Sequence, residues 1–407
     1  MKKFKLFTAF LVFCSITAYA QEVTTTPKKM PYYYMMEWPN QGVLMFGKDP
    51  KGNTLQQEVT LVNDKGEVKW QEQYMPQMKD PKIVLSEYSN YIYFLDQLQP
   101  DDAGKIFYNQ TNLSGYIRKG SIYFPPIFRT VADIDYNSSE LIDIVSSTDD
   151  LIFHFRLKDK KSKAYQDVLV FLNHYSLKTF IAKVPGIYPF EKIDSGERSL
   201  IYFAGSKDDE NYFAHYTIKD KKMGYDVLVF DKKGNFTGSR FFESPDEKIE
   251  TTQRIAVYPS GAFYADASTH RAKGQLFYSN NEWFLAGRKE AAFSLWKYAE
   301  NKPSLLLSNY EIPIKKNPEH EMGITFLKDY FIVIAKSDAT NSVLTIAKDG
   351  SVVEKQNIST TFGMANLSRY LKKVETDSFY FLFNDSWYSV PQVVFGDDLT
   401  PVVFEKK

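Results

Sequence analysis

The feature that most constrains this chain is that it repeats itself. Lys158-Asp159-Lys160-Lys161 recurs as Lys219-Asp220-Lys221-Lys222, and Asp167-Val168-Leu169-Val170-Phe171 recurs as Asp226-Val227-Leu228-Val229-Phe230. The offsets are 61 and 59 residues, so the second copy is shorter by two. Self-similarity at a fixed period implies stacked units, none of which buries its apolar surface alone. The second copy reads as a four-strand meander, with strands at Leu200–Ala204, Tyr212–Ile218, Tyr225–Phe230 and Phe236–Phe242. Its turns, Ser206–Asp209, Lys219–Gly224 and Asp231–Gly234, are rich in residues that tolerate positive φ or bond their own backbone.

The same plan runs along the chain. Third strands are expected at Val59–Val62, Lys105–Tyr108, Val168–Phe171, Val227–Phe230, Phe293–Trp296, Val343–Ile346 and Gln392–Phe395. Polar turns follow most of them, at Asn63–Gly66, Asn109–Asn112, Asp231–Gly234, Lys348–Gly350 and Gly396–Asp398. Leu61 to Phe395 spans 334 residues in six steps, or about 56 per unit. No segment keeps a 3.6-residue apolar period, and Lys289–Tyr298 is the best short helix candidate. Aromatic residues reach 16%, which suits strands with large side chains between packed sheets.

This succession resembles β-propellers as an architecture, over residues 32–407. The resemblance implies an all-β fold of about seven four-stranded blades, with six to eight as the range, in a closed ring that leaves no open end. It identifies no subfamily. The Trp-Asp strand ending of WD repeats is missing, and the sialidase Ser-x-Asp-x-Gly-x-x-Trp box is approached only at Asn63–Trp70. A two-sheet sandwich is the competing reading, but its strands would not repeat in such units.

Residues 1–20 read as a secretory signal, with Lys2, Lys3 and Lys5, an apolar stretch from Leu6 to Ile16, and Ala18-Tyr19-Ala20 before the cut. Residues 21–31 read as a mobile lead-in. The single cysteine, Cys14, lies within the signal, so the mature chain has no disulfide or thiol chemistry. The signal's end resembles exported proteins of the Bacteroidota. The expected location is the periplasm, with outer-membrane association or secretion as alternatives. Lys+Arg and Asp+Glu both number 50, so no global field steers the chain to nucleic acid. No later apolar run is long enough to span a membrane as a helix.

Two groups of residues are ligand or partner candidates. His154 and His215 share the 61-residue offset, which places them at equivalent positions on second strands. They are either two imidazoles near a central channel, sharing a metal or an anionic ligand, or one packing histidine inherited twice through duplication. In a carbohydrate-binding reading the central mouth would be lined by Trp283, Trp296 and Trp387, or by His154 and His215, with aromatics stacking on sugar faces. Tyr123, Phe124, Pro125, Pro126, Ile127 and Phe128 form an apolar segment within the insertion Gly120–Ser139, stiffened by two prolines and suited to docking a partner. A second polar stretch, Ser268–Arg288, is expected as a long loop.

Other residues point to structure. Pro31–Trp38 suits an inner or ring-closing strand, with an exposed arm as the alternative. His174 falls at an expected tight turn in solvent, and Asn317–Glu321 lacks the helical His-Glu-x-x-His spacing of a zinc site. The pairs Asp101-Asp102, Asp149-Asp150, Asp208-Asp209 and Asp397-Asp398 fall at turns. No catalytic residue, metal site or cofactor is expected, and no nucleotide or hydrolase motif is present. The reading is a non-enzymatic interaction subunit of a cell-envelope complex, contacting an envelope or outer-membrane protein. A carbohydrate-binding or carbohydrate-active propeller, and a gate or plug of an outer-membrane export channel, are the alternatives.

Overall fold

The computed structural model describes residues 32–38, 41–48, 57–62, 68–74, 82–86, 88–97, 100–131, 134–161, 164–186, 190–193, 196–199, 201–245, 254–258, 272–273, 275–279, 281–289, 292–311, 322–326, 330–336, 340–359, 372–374, 378–383 and 386–391. The signal segment, the lead-in, Asn317–Glu321, Gln392–Phe395 and Asp397-Asp398 lie outside them.

Five successive four-stranded antiparallel meanders carry the fold. Sheet 1 is β1 (Tyr32–Trp38), β2 (Gly42–Lys48), β3 (Gln57–Val62) and β4 (Val68–Tyr74). Sheet 2 is β5 (Lys82–Val84), β6 (Tyr91–Leu95), β7 (Lys105–Asn112) and β8 (Ile117–Tyr123). A short helix, α1 (Phe124–Phe128), leads into sheet 3: β9 (Ile134–Ser146), β10 (Asp150–Asp159), β11 (Tyr165–Asn173) and β12 (Thr179–Lys183). After the hairpin β13 (Phe190–Ile193) and β14 (Gly196–Ser199) comes sheet 4: β15 (Tyr202–Lys207), β16 (Glu210–Lys219), β17 (Lys222–Asp231) and β18 (Phe236–Glu243).

The second half departs once from this plan. β19 (Arg254–Tyr258) and β20 (Ala272–Lys273) precede sheet 5, which is β21 (Gln275–Ser279), β22 (Glu282–Lys289), β23 (Ala292–Ala299) and β24 (Lys302–Glu311). Sheet 6 is β25 (Met322–Phe326), β26 (Tyr330–Lys336), β27 (Thr340–Ala347) and β28 (Val352–Ser359). β19 joins sheet 6 in parallel beside β25, so this sheet has six strands. Sheet 7 has β29 (Lys372–Val374), β30 (Ser378–Phe383) and β31 (Ser386–Pro391).

Six of the seven expected third strands are third strands, in β3, β7, β11, β17, β23 and β27. Three expectations about secondary structure fail here. Lys289–Tyr298 is not a helix but the β22–β23 hairpin, because the neighbouring strands supply its backbone partners. Most of Ser268–Arg288 is strand, not loop. The turn expected at Asn109–Asn112 begins only at Asn112, since Asn109, Gln110 and Thr111 lie buried in β7.

The sheets pack face to face in order. Trp38, Leu61 and Trp70 of sheet 1 join Ile92 and Phe94 of sheet 2. Tyr93 and Tyr108 of sheet 2 join Phe153, Phe155 and Val170 of sheet 3. Leu169 and Phe171 of sheet 3 join Phe213, Leu228 and Phe230 of sheet 4, and Tyr212, Val227 and Val229 join Leu276, Trp283 and Leu285 of sheet 5. Trp38 is fully buried and donates from Nε1 to the Ser89 carbonyl at 3.2 Å, so it is no part of a free arm.

In sheets 2, 4 and 6 the turn after the third strand keys the sheet to the one before it. A Cβ on Gly115 would meet Trp70 of sheet 1 at 3.1 Å, and one on Gly234 would meet Phe171 of sheet 3 at 3.0 Å. One on Gly350 of sheet 6 would meet the Leu306 carbonyl oxygen of sheet 5. Gly234 also holds φ at 77°, a conformation costly for any residue with a side chain. Contacts reach beyond neighbours too. The Tyr88 hydroxyl, in the turn before β6, donates to the Tyr278 carbonyl of sheet 5 at 2.5 Å, and its ring lies 6.1 Å from Phe203 of sheet 4.

Candidate functional site

The third-to-fourth-strand turns of sheets 2, 3 and 4 form the candidate site. Each is anchored by one Asn or Asp carrying the backbone of the turn. Asn112 Oδ1 accepts from the Ser114 and Tyr116 amides at 3.0 and 3.1 Å. Asn173 Oδ1 accepts from the Tyr175 and Ser176 amides at 3.3 and 3.0 Å. Asp231 Oδ1 accepts from the Lys233 and Asn235 amides, both at 2.8 Å. Such side-chain bonds imitate a backbone turn and hold it in one shape. Two of the turns carry an aromatic side chain into solvent, Tyr116 at 65% and Tyr175 at 60% exposure. Phe236, the first residue of β18 just past the third turn, is 44% exposed beside the buried Phe230 ring at 5.7 Å. Arg118 braces the set, donating to the Tyr175 carbonyl at 2.9 Å, with its guanidinium 5.9 Å from the Tyr91 ring.

Behind Tyr175 lies His174, fully buried rather than solvated as its turn position suggested. Its Nε2 stands 3.0 Å from the Ser147 carbonyl oxygen and 3.1 Å from Ser89 Oγ, and its Nδ1 stands 2.8 Å from the Tyr93 hydroxyl. A carbonyl only accepts, so the network assigns the hydrogen to Nε2 and leaves Nδ1 to accept from Tyr93. Gln110 Nε2 donates to the Tyr93 oxygen at 2.5 Å and to the His174 carbonyl at 2.8 Å. Burial holds the imidazole pKa down to about 4 and pushes the Tyr93 phenol well up, so both are neutral. Ser89 and His174 have the residue types of a nucleophile and base. Both are buried, however, and the far ring nitrogen meets a phenol rather than a carboxylate, so the group is a latch between sheets 2 and 3.

His154 and His215 are not equivalent in register. His154 lies opposite Leu169 and reaches diagonally to Asp167, Nε2 to Oδ1, at 2.8 Å. His215 lies directly opposite Asp226, at 4.0 Å. The residue opposite Asp167 is Arg156, whose guanidinium stacks 3.8 Å from the Tyr165 ring. The cause is turn length. Lys219 pairs with Lys222 across the two-residue turn Asp220-Lys221, whereas Asp159 bonds Ala164 across a four-residue turn.

The faces are opposite as well. In sheet 3, Val168 and Val170 point back to sheet 2, and Leu169 and Phe171 point forward to sheet 4. In sheet 4, Leu228 and Phe230 point back, and Val227 and Val229 point forward. Strand alternation therefore turns both His–Asp pairs into the seam between sheets 3 and 4. His154 is 2% exposed, with its ring 6.5 Å from Phe213. Burial lowers the His215 pKa, against an opposing pull from Asp226. Among the described residues no group of three or more His, Cys, Asp or Glu could hold a metal.

The other expected site residues divide. Trp283 is buried among Tyr212, Phe242 and Tyr278, with ring centroids at 5.1, 4.8 and 5.2 Å, so it presents no face to a sugar. Trp296 is half-buried against the same core. Trp387 lies on β31, with its side chain outside the described residues. In the 123–128 segment the apolar loop is a correction: Phe124 and Phe128 are 0% and 2% exposed, packed on Phe155 at 4.7 and 4.9 Å. Pro125 fits the first turn of α1, where no backbone donor is needed. Ile127 is half-buried against the same core, which leaves Tyr123, 46% exposed, and Pro126 facing solvent.

Sequence reasoning read Asp150 as a turn aspartate and missed its burial. This carboxyl is fully buried at the start of β10, and desolvation raises its pKa from 3.8 to about 7 despite a hydrogen bond from Asn173. It also missed the aromatic rim. The signal was available as an aromatic just past each turn anchor, at Tyr116, Tyr175 and Phe236.

No family model and no curated protein matches the chain. Solved structures do. The β-propeller domain of the Trilobed protease from Pyrococcus furiosus is similar at 9% identity and a TM-score of 0.35, covering 80% of this chain and 97% of that one. The WD40 domain of SCAP from fission yeast matches at 13% identity and a TM-score of 0.38, covering 83% and 72%. A prolyl endopeptidase matches at 10% identity and a TM-score of 0.42, covering 86% of this chain and 45% of that one. These likenesses carry no activity, substrate or partner over to this chain.

Proposed function

We propose that the chain is an exported β-propeller of about seven blades in a closed ring, serving without catalysis as a protein-interaction subunit of a cell-envelope complex. The observation that carries the interaction role is the rim of Tyr116, Tyr175 and Phe236, three exposed aromatics on or directly after turns already fixed by Asn112, Asn173 and Asp231. Exposed tyrosines next to an arginine are the residue types that dominate interface centres. Because the turns are held before binding, little ordering entropy is lost on contact. The ring is supported by Tyr88 of sheet 2 meeting Tyr278 of sheet 5, and by β29 lying against β1 and β2 of the first sheet. Export rests on residues 1–20.

The test is a photo-crosslinking residue placed in turn at Tyr116, Tyr175 and Phe236 in the source cell, with exposed Asp102 as the control position. The expected result is one protein species captured from all three rim positions and not from the control, on a mature chain that begins at Gln21 and fractionates with the periplasm. Capture of nothing, or the same species from Asp102, overturns the interaction role. A cytoplasmic chain retaining residues 1–20 overturns the export.

A further inference from the structure

The end of sheets 3 and 4 opposite the aromatic rim carries a different chemistry. The turns joining first to second strands meet where Thr148 Oγ1 and Ser206 Oγ lie 3.0 Å apart. The β10–β11 and β16–β17 hairpins both lie at the other end of these antiparallel sheets. Lys158, Lys160 and Lys161 sit on one, and Lys219, Lys221 and Lys222 on the other. Against these six lysines the two tetrapeptides hold only Asp159 and Asp220, a local charge of +4 in a chain of zero net charge. Lys219 leans toward Asp226 at 3.9 Å and Lys222 pairs with Glu243 at 2.5 Å, so part of the charge is met at the flank. In sheet 5 the corresponding β22–β23 hairpin adds Arg288 and Lys289 at its end.

Apolar side chains stand among these cations. Ile218 is 66% exposed immediately before Lys219, and Tyr165 is 40% exposed, with Lys158 Nζ 5.6 Å from its ring. A soluble polyanion requires only the lysines. A lipid surface uses both kinds of group, since cations meet the phosphates while an aliphatic and an aromatic side chain enter the acyl boundary.

We propose that the hairpin end of sheets 3 and 4 docks on an anionic lipid surface, with Tyr165 entering the interface between the two lysine clusters and Ile218 entering it from the face of sheet 4 that turns toward sheet 5. Binding is peripheral. It depends on salt, because the cations act within a Debye length of the phosphates.

The test uses the mature full-length chain with vesicles of phosphatidylcholine alone and of phosphatidylcholine mixed with phosphatidylglycerol, read by sedimentation. Partition onto the mixed vesicles only, weakening as salt rises, is expected. K160E with K221E should lower partition at least about tenfold, since each cation adds materially at an anionic surface. I218S should lower it about fivefold at constant charge. K160Q with K221Q, matched to the parent by circular dichroism melting, repeats the charge test without the risk of charge reversal. No partition onto the mixed vesicles overturns the proposal. So does loss with the lysine variants while I218S binds as the parent does, or equal competition by soluble polyphosphate, because each leaves a site for polyanions rather than for lipid.

Discussion

Sheets 3 and 4 contain the same pentapeptide, Asp-Val-Leu-Val-Phe, and use it in opposite ways. In β11 its Leu169 and Phe171 face forward; in β17 the matching Leu228 and Phe230 face back. Like residues from two sheets therefore meet in one seam, with Phe171 and Phe230 rings 6.4 Å apart. A strand buried on both faces is apolar at every position, so its pattern does not say which face is which. Turn length and register decide, and these differ between the sheets. The acidic residues follow suit: Asp167 is tightly bonded to a buried histidine, and Asp226 is loosely placed near a half-buried one.

The largest expected effects test the shared seam. F171A and F230A should each cost about 3–5 kcal/mol in denaturant melts. The double variant should fall short of the sum by about 0.5–1.5 kcal/mol, because the rings touch the same core. Strict additivity would place the two rings in different seams and break the comparison.

Next come the acids. D167A should cost about 3 kcal/mol, since it strands a buried histidine, and D226A about 1 kcal/mol. Equal losses in urea midpoint would make the two pairs alike after all.

The first residues of the second strands offer a pH contrast. Asp150 of sheet 3 is buried with its pKa raised to about 7, while Glu210 of sheet 4 is half-exposed and meets Arg240 at 3.3 Å. A raised carboxyl binds its proton more tightly when folded. Its stabilisation is complete below about pH 4, declines as pH rises toward 7, and is flat above. D150N should remove a decline of a few kcal/mol over that window, whereas E210Q leaves it in place. His174, lowered to about 4, contributes the opposite slope, with stability lost as pH falls from about 6.5 to 4. Comparing each variant with the parent at every pH separates the two groups.

The smallest effect concerns the turns. Asp220 and Lys221 hold φ at 53° and 64°, the left-handed pair that favours Asn-Gly. D220N with K221G should stabilise by about 0.5–1 kcal/mol in thermal melts. The matching change at Asp159 and Lys160 should not, because Asp159 there still pairs with Ala164.

The strands and most turns were legible because alternation between aromatic runs and Asp/Asn/Gly clusters is local. What was not legible is set by partners distant in sequence. His174 sits in a turn, yet it is buried because Tyr93 and Gln110, from two strands of the preceding sheet, close over it. The hint was a polar run, Asn109-Gln110-Thr111, inside an otherwise apolar strand, since a buried glutamine requires a partner. Phe124 and Phe128 looked like a docking loop because nothing local shows that Phe153 and Phe155 wait beneath them.

Gly115, Gly234 and Gly350 each rest on the sheet that precedes them in the chain. At these three turns a module supplies a socket for its successor, whereas Gly205 of sheet 4 rests on Tyr278 of the sheet that follows. A polypeptide growing from its amino end meets these three sockets before the plugs that fill them, so this part of assembly can follow the order of synthesis. Removing an early module would unseat its follower, while removing a late one leaves the sockets before it intact.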